Sequence, residues 1–357
     1  MNIDDVDLPL IYCPVEGELN PATARVEARS VEWIDEHRLY ETEQERAWLL
    51  ATKSADFCGR YYPEADEERL LATALWTYWA FAFDDNYCDN GETCDQPAKF
   101  AEVAGYVQRA WEVPTLLKSG DPRLDHYLAA MQDVSARFHR LGTPTQLQRM
   151  DAAHCSYLFG VQWQVSNRSR NVFPGLDGYL LMRRGAVGVG PLIAALEFAH
   201  RNEVPAHEWD SAAVRALTEM VIVIVALDND RQSIVKELRL GQTEQNVFTA
   251  LMGEGLSLPE AIAEATALRD RVFCRFVEVE ERTRRGGSAA LLRYLQGLRW
   301  AIRGNAEWGL TIPRYLSDGP LPETAGSPVD VDWAKQPAGH DGRPVPPSIA
   351  WWWEDFS

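Results

Sequence analysis

Apolar residues recur at helical spacing along most of this chain, and no alternation of polar and apolar residues persists long enough to predict a β-strand. No hairpin signal and no internal repeat is found. The periodicity instead predicts successive helices at about 41–58, 66–83, 98–118, 123–140, 144–166, 176–200, 207–238, 244–253, 257–284 and 287–316. The sequence therefore predicts an all-α fold, in which residues 39–316 form a single helical domain around one apolar core.

Two segments of different character flank this helical domain. Residues 1–38 are expected to form an extended N-terminal lead-in with one short helix, because the prolines around Leu8 to Pro14 limit the backbone. The C-terminal tail, residues 317–357, is dense in Pro, Gly, Asp and Ser, which predicts a loose segment. It ends in Trp351-Trp352-Trp353, which a disordered tail ordinarily lacks, so docking of these rings on the domain is left open.

One helix joins an apolar run, Met220 to Leu227, to a polar end. Asn229, Ser233 and Glu237 follow at i, i+4 and i+8, so their side chains share one helical face. An amide oxygen, a hydroxyl and a carboxylate form an all-oxygen ligand set, which suits Mg²⁺. Lys236 adds a cation that could reach an anion sharing the metal. The alternative is an ordinary solvated face at the end of a buried helix.

A second acidic cluster ends an earlier helix. Asp84 and Asp85 are predicted on its last turn, where adjacent carboxylates repel each other and oppose the helix dipole unless a cation joins them. The pair could bridge two Mg²⁺ ions. Asp89 is expected to lie off that face and to support a ligand rather than be one. A surface acidic loop is the alternative.

Basic residues stand near both clusters. Arg183 precedes Gly185 to Gly190, where the glycines predict a broken helix and an arginine could hold a diphosphate in bidentate fashion. Arg314 and Tyr315 follow the last long helix, which is a weak signal alone. Surface arginines beside an ordinary helix break would give the same pattern.

Composition limits the partners and the setting. The chain has 53 acidic and 35 basic residues and a formal charge of −18, so nucleic acid and anionic membranes are unsuitable partners. The chain has no apolar run of membrane-spanning length, and the acidic N-terminus is unlike a signal peptide, which together predict a cytoplasmic protein. The six cysteines show no CxxC spacing and are expected to be free thiols.

With these residues in place, the chain resembles the bacterial class I terpene synthases over nearly all of residues 8–316. Asp84 to Asp89 has the DDxxxD/E form of that family's aspartate-rich motif. Asn229, Asp230, Ser233 and Glu237 match its NDxxSxxxE motif in full, with Lys236 in the usual place before the glutamate.

Two further parts of the chain match the family's motifs, in the same order along the sequence. Arg183 precedes the motif asparagine by 46 residues, which is the position of the family's diphosphate-sensing arginine. Arg314-Tyr315 matches its Arg-Tyr pair. Four matches at the right spacing make the resemblance specific.

The resemblance implies a cavity that binds three Mg²⁺ ions and an isoprenyl diphosphate. Asp84, Asp85 and Asp89 would face two of the ions, with Asp84 the surest ligand. Asn229, Ser233 and Glu237 would hold the third. The residues implied to bind the diphosphate are Arg183, Lys236, Arg314 and Tyr315.

The resemblance also implies aromatic cavity walls at Phe57, Phe81 and Trp308. Plain core packing is as good an account of Phe57 and Trp308. At the helix break, Ala186 and Val187 occupy the positions that trigger ionisation, with Val187 contributing a carbonyl. Ala186 has no polar side chain, whereas some relatives carry Asp or Thr there.

The function implied is Mg²⁺-dependent ionisation of a linear isoprenyl diphosphate, followed by cyclisation to a terpene hydrocarbon or alcohol. Farnesyl diphosphate is favoured by family frequency, and geranylgeranyl, geranyl and methylated geranyl diphosphates remain open. A homodimer is a possible assembly. A chain-elongating prenyltransferase normally has two aspartate-rich motifs, and a class II cyclase would need Asp-x-Asp-Asp, which this chain lacks. The non-enzyme alternative is an acidic helical scaffold or binding protein.

Overall fold

The computed structural model describes residues 6–113, 115, 117–241, 243, 245–316, 331–339 and 344–356. Within these ranges the chain contains helices and no strand, which confirms the predicted all-α fold. The α-helices are α1 Thr23–His37, α2 Glu43–Leu50, α3 Ser54–Tyr61, α4 Glu67–Phe83, α5 Pro97–Glu112, α6 Pro122–Leu141, α7 Pro144–Ser169, α8 Leu176–Ala186, α9 Val189–Ala199, α10 Ala206–Trp209, α11 Ala212–Leu240, α12 Val247–Gly253, α13 Leu258–Arg284, α14 Ala289–Gly309 and α15 Pro313–Leu316.

Helix α11 runs through the middle of the bundle, against α8, α9, α13 and α14. It begins where the Ser211 side chain accepts a hydrogen bond from the Val214 N–H, and it ends at Gly241, whose φ is +67°. Every residue from Met220 to Leu227 is buried, and Asn229 is the next residue to be partly exposed. The core helix therefore carries its polar residues into a cavity.

Three of the predicted helices are divided in the structure. The predicted helix at 41–58 is interrupted after Leu50, where Lys53 takes a left-handed φ of 47°. The predicted helix at 207–238 is split because Ser211 caps a new helix after α10. The last predicted helix ends at Gly309, and α15 is a separate turn. Pattern alone missed these boundaries because apolar periodicity continues across them.

The break predicted near Gly185 to Gly190 is present and short. Helix α8 ends at Ala186, and α9 begins at Val189 after Gly188 with φ +73°. The two helices meet at a bend of 42°. A Cβ added to Gly160 of α7 would lie 2.4 Å from the Ala186 nitrogen, so α7 and α8 pack backbone against backbone here. This close packing fixes the break beside the cavity.

The two ends of the chain pair with each other. Tyr12 and Ala334 form an isolated parallel bridge, in which the Ala334 N–H donates to the Ile11 carbonyl at 2.9 Å. Further on, Pro347–Trp353 is a 3₁₀ helix, with Ile349 and Trp352 buried. The described part of the expected loose tail is therefore packed, because it buries apolar side chains on the domain. Residues 317–330 and 340–343 lie outside the described residues.

The structure also bears on the cysteines and on membrane-spanning segments. All six cysteines are free, with three buried and the most exposed at positions 155 and 274. Among the described helices, none alone is long and apolar enough to cross a membrane, although the bent pair α8 and α9 passes such a test on length and composition.

Candidate active site

A single cavity brings together every predicted site residue except Asp85. It encloses about 1100 Å³ of space, its mouth included, and is bounded by α3, α4, α7, α8, α9, α11, α14 and α15. The predicted residues that line it are Phe57, Phe81, Asp84, Asp89, Arg183, Val187, Asn229, Ser233, Lys236, Glu237, Trp308, Arg314 and Tyr315. Residues up to 258 positions apart in sequence thus meet in one place.

Aromatic rings form one part of the cavity wall. The Trp308 ring lies 4.8 Å from that of Phe57, 5.9 Å from that of Phe81 and 5.8 Å from that of Tyr315. The Trp308 indole N–H donates to the Thr52 carbonyl at 2.8 Å, which fixes the orientation of the ring. The three expected wall residues therefore act as one packed group around Trp308.

The α11 wall consists of Asn229, Ser233 and Glu237. The Ser233 hydroxyl donates to one oxygen of Glu237 at 2.5 Å, and the Asn246 amide donates to the other at 2.9 Å. Removal from water is the largest influence on Glu237, and it raises the pKa of this carboxyl to about 7. Two hydrogen bonds therefore orient the carboxyl group, and burial favours its neutral form.

Asn229 is held between two residues expected at the diphosphate. Its side-chain oxygen accepts from Arg183 Nη2 at 2.7 Å, and its amide donates to the Tyr315 hydroxyl at 2.9 Å. Arg183 also contacts the buried Asp230 carboxylate at 2.9 Å. Tyr179 donates to the second Asp230 oxygen at 2.5 Å. Asp230 therefore orients Arg183 from behind rather than lining the cavity.

The aspartate wall consists of Asp84, Asp85 and Asp89, and its backbone differs from the prediction. Asp84–Cys88 is a π-helix, and the Asp89 N–H donates to the Asp84 carbonyl at 2.8 Å. This wider turn places Asp89 beside Asp84 on the cavity side, so the expectation that Asp89 lies off that face is wrong. Burial first, then the charges of Asp89 and Asp85, raise the pKa of Asp84 to about 8.

Asp85 is the predicted residue that does not line the cavity. It forms a bidentate pair with Arg314, at 2.9 Å from Nη1 and 2.5 Å from Nη2. The guanidinium also lies 4.8 Å from the Trp48 ring and 5.4 Å from the Phe81 ring. The aspartate wall and the Arg-Tyr pair are therefore joined directly.

Arg168 of α7 is a site residue that the sequence reasoning missed. Its Nη1 donates to the carbonyls of Cys88 at 2.8 Å and Asp89 at 3.2 Å, and it lines the cavity. These bonds hold the segment after the π turn against α7. The available signal was only the i, i+4 spacing of Gln164 and Arg168, which places both side chains on one helical face.

Three buried polar atoms that line the cavity were also missed. Trp76 Nε1, Asn305 Nδ2 and Gln245 Oε1 have no hydrogen-bond partner among the described residues. Unpaired buried polar atoms are costly, so a ligand or water that reached them would gain more than at a solvated surface.

The donor set fits a divalent cation with oxygen ligands. Asp84, Asp89, Asn229, Ser233 and Glu237 all offer oxygen atoms to one cavity, which suits Mg²⁺. Burial is the main cause of the raised pKa values of Asp84 and Glu237, and a cation bound beside these carboxyls would favour their ionised forms. In the described ranges no three His, Cys, Asp or Glu side chains converge, because the α11 wall uses an amide and a hydroxyl.

Comparisons with known proteins agree on one family. Residues 75–273 match the family model described as terpene synthase family 2, C-terminal metal binding. The chain is 48% identical to spiroviolene synthase of Streptomyces violens over 363 residues, covering 99% of each. It is 34% identical to phomopsene synthase of Allokutzneria albata, covering 98% of this chain and 97% of the relative. A crystal structure of the SVS_A2 protein from ancestral sequence reconstruction superposes with a TM-score of 0.86 at 49% identity, covering 97% and 98%.

Proposed function

This chain belongs to the bacterial class I terpene synthases, and from that membership we propose that it ionises a linear isoprenyl diphosphate and cyclises the carbocation to a terpene hydrocarbon or alcohol. Terpene cyclisation as a class follows from the family. The observation that carries the finer proposal is the cavity, in which two oxygen-rich walls and four cationic residues adjoin packed aromatic rings.

The family's metal is proposed to be Mg²⁺, as three ions. Asp84 and Asp89 would hold metal on the aspartate wall, and the α11 wall, Asn229, Ser233 and Glu237, would hold it opposite. When bound, the metal supplies the positive charge that neutralises a diphosphate leaving group.

The chain's own cations would bind the diphosphate. Arg183 is pre-oriented by Asn229 and Asp230, so little side-chain freedom is lost when it meets an anion. Lys236 lines the same cavity, with its ammonium 6.0 Å from the centre of the Tyr315 ring. These groups offset the formal charge of −18, which would otherwise repel an anionic substrate.

The helix break supplies polar backbone beside these cations. Val187 ends α8 with its N–H bonded to the Arg183 carbonyl at 3.0 Å. The last carbonyls of a helix have no partner within that helix, so the Val187 carbonyl is free to face the reacting centre. We propose that this carbonyl assists ionisation. Because the methyl side chain of Ala186 has no polar atom, the backbone alone would do so at this break.

The aromatic group would protect and shape the carbocation. Phe57, Phe81 and Trp308 line the cavity, where aromatic rings attract positive charge and their packing would exclude water. We propose that the substrate of this protein has the same chain length as the substrate of spiroviolene synthase, because that relative is 48% identical over nearly the whole chain. Farnesyl diphosphate, favoured by family frequency, is the competing candidate.

The test is incubation of purified protein with geranyl, farnesyl and geranylgeranyl diphosphates, with and without Mg²⁺, and analysis of extracted volatiles against a spiroviolene standard. We expect a cyclic product from one chain length, only with Mg²⁺. Absence of product from all three and from methylated geranyl diphosphate, in folded protein, would overturn the proposal. Longer linear diphosphates formed on adding isopentenyl diphosphate would instead identify a prenyltransferase.

A further inference from the structure

The buried ring of the C-terminal 3₁₀ helix contacts a helix of the candidate site through one carboxylate. Trp352 is fully buried, and its indole N–H donates to a Glu219 oxygen of α11 at 3.2 Å. The other Glu219 oxygen is paired with Arg184 of α8. Arg184 directly follows Arg183, which lines the cavity, whereas Arg184 does not. The tail is therefore linked to the last turn of α8.

The same tail also holds the first turn of α8. The Ser348 N–H donates to an Asp177 oxygen at 2.7 Å, and the Ser348 hydroxyl lies 3.5 Å from the Asp177 carbonyl. Asp177 and Arg184 stand near the two ends of this 11-residue helix. One short segment of the tail therefore braces α8 near both ends, through two residues that do not line the cavity.

The tail is itself anchored on a third helix. The buried Arg275 of α13 donates to the Trp352 carbonyl and to the Glu354 carbonyl, each at 2.8 Å. Arg271 of α13 lies 5.5 Å from the Trp353 ring. Because α13 packs along α11, the brace connects α8 to the most buried part of the bundle.

From these contacts we propose that Trp352 is a positioning residue, which holds α8 so that Arg183 and the helix break face the diphosphate site. The proposal rests on the proposed function for its kinetic consequence. Helix α8 is short and ends in a break, so the hydrogen bonds within it do not fix its direction. Tyr179 and Arg183 tie it to Asp230 of α11, and the tail adds a second set of contacts near its two ends. A misplacement of about 1 Å at a charged positioning group lowers turnover by up to about a hundredfold.

The test compares Trp352→Phe with Trp353→Phe. Both remove an indole from the same 3₁₀ helix, but Trp353 lies over α13 rather than against Glu219. The first readout is amide hydrogen exchange of the protein alone. We expect Trp352→Phe to speed exchange across α8 by about fivefold or more, with α13 unchanged, because local opening follows the loss of local contacts. We expect Trp353→Phe to leave α8 unchanged.

The second readout is steady-state kinetics. We expect Trp352→Phe to lower kcat by about tenfold while KM stays within about twofold, since the bound substrate remains but its ionising contacts are misaligned. A Glu219→Gln variant should give a smaller loss in the same direction, because it keeps an acceptor for the indole and weakens only the pair with Arg184.

The two readouts separate the possible failures. Unchanged α8 exchange in Trp352→Phe would overturn the positioning role, whatever the kinetics. Equal losses in both tryptophan variants, with melting temperatures lowered together, would also overturn it, because the tail would then contribute only general stability. If the unmodified protein turns over no diphosphate, the proposed function fails, while the exchange experiment still decides whether Trp352 braces α8.

Discussion

The two oxygen-rich walls of the cavity are prepared in different ways. On the α11 wall each ligand is already bonded within the protein: Asn229 to Arg183 and Tyr315, and Glu237 to its neighbour Ser233. On the aspartate wall, Asp84 faces the cavity with a raised pKa, while Asp85 is paired with Arg314.

This difference indicates which wall changes when a cation and a diphosphate bind. The α11 wall is organised by a regular helix that is buried up to Leu227. The aspartate wall depends on a π turn and on an arginine from the far end of the domain. We infer that the α11 wall is preformed, and that the aspartate wall reaches its final arrangement only when cation and diphosphate compete for Asp85 and Arg314.

The largest expected effect comes from breaking the preformed wall. Replacing Asn229 or Glu237 with Ala should lower turnover by at least about a thousandfold, because each change removes a proposed metal ligand, while helix content stays intact by circular dichroism. Glu281→Ala, which removes an exposed carboxylate from α13, is the control and should behave like the parent. Unchanged turnover in either wall variant would disprove the metal assignment.

A smaller effect is expected in the aspartate wall, where Asp84 can be compared with Asp85. Asp84→Asn should lower kcat by about a hundredfold or more, because Asp84 faces the cavity. Asp85→Asn should lower kcat by only about tenfold, because Asp85 acts through Arg314. Steady-state kinetics on the matched pair measures the ratio. Equal losses would mean that Asp85 swings to the metal and that the pair with Arg314 belongs only to the empty site.

The smallest expected effect concerns pH. Burial raises the pKa of Asp84 to about 8 and that of Glu237 to about 7, so the protein without metal is relatively more stable when they are protonated and loses that stability as pH rises through these values. A bound cation favours the ionised forms. The apparent Kd for Mg²⁺, measured by thermal shift at constant ionic strength, should therefore be about tenfold or more weaker at pH 6 than at pH 8.5. An equal Kd at both values would contradict this account.

Much of this site could be predicted from sequence because its residues lie at fixed helical spacings. Asn229, Ser233 and Glu237 share a face on any regular helix, and the structure places all three in the cavity. The break after Ala186 was predictable because glycines mark it in the sequence, and Gly188 does take a positive φ.

The rest depended on geometry that a regular helix does not contain. Asp89 was expected off the cavity face because a π turn cannot be read from apolar periodicity. The pair between Asp85 and Arg314 joins residues 229 positions apart, and Arg168 reaches its carbonyls across about 80. Such contacts follow from tertiary packing. Docking of Trp352 was left open for the same reason, because the sequence does not show which surface buries it.

The brace on α8 has a consequence for the timing of synthesis. Ser348 bonds to Asp177 across 171 positions of the chain. Ribosomes add roughly 5–20 residues per second, so α8 is made about 10 to 30 s before the segment that braces it. During that interval α8 can pack only on the helices already formed. The nascent chain therefore contains both motifs, and the Asp230 that orients Arg183, before it contains the segment that braces α8. The brace is the last of these contacts to form.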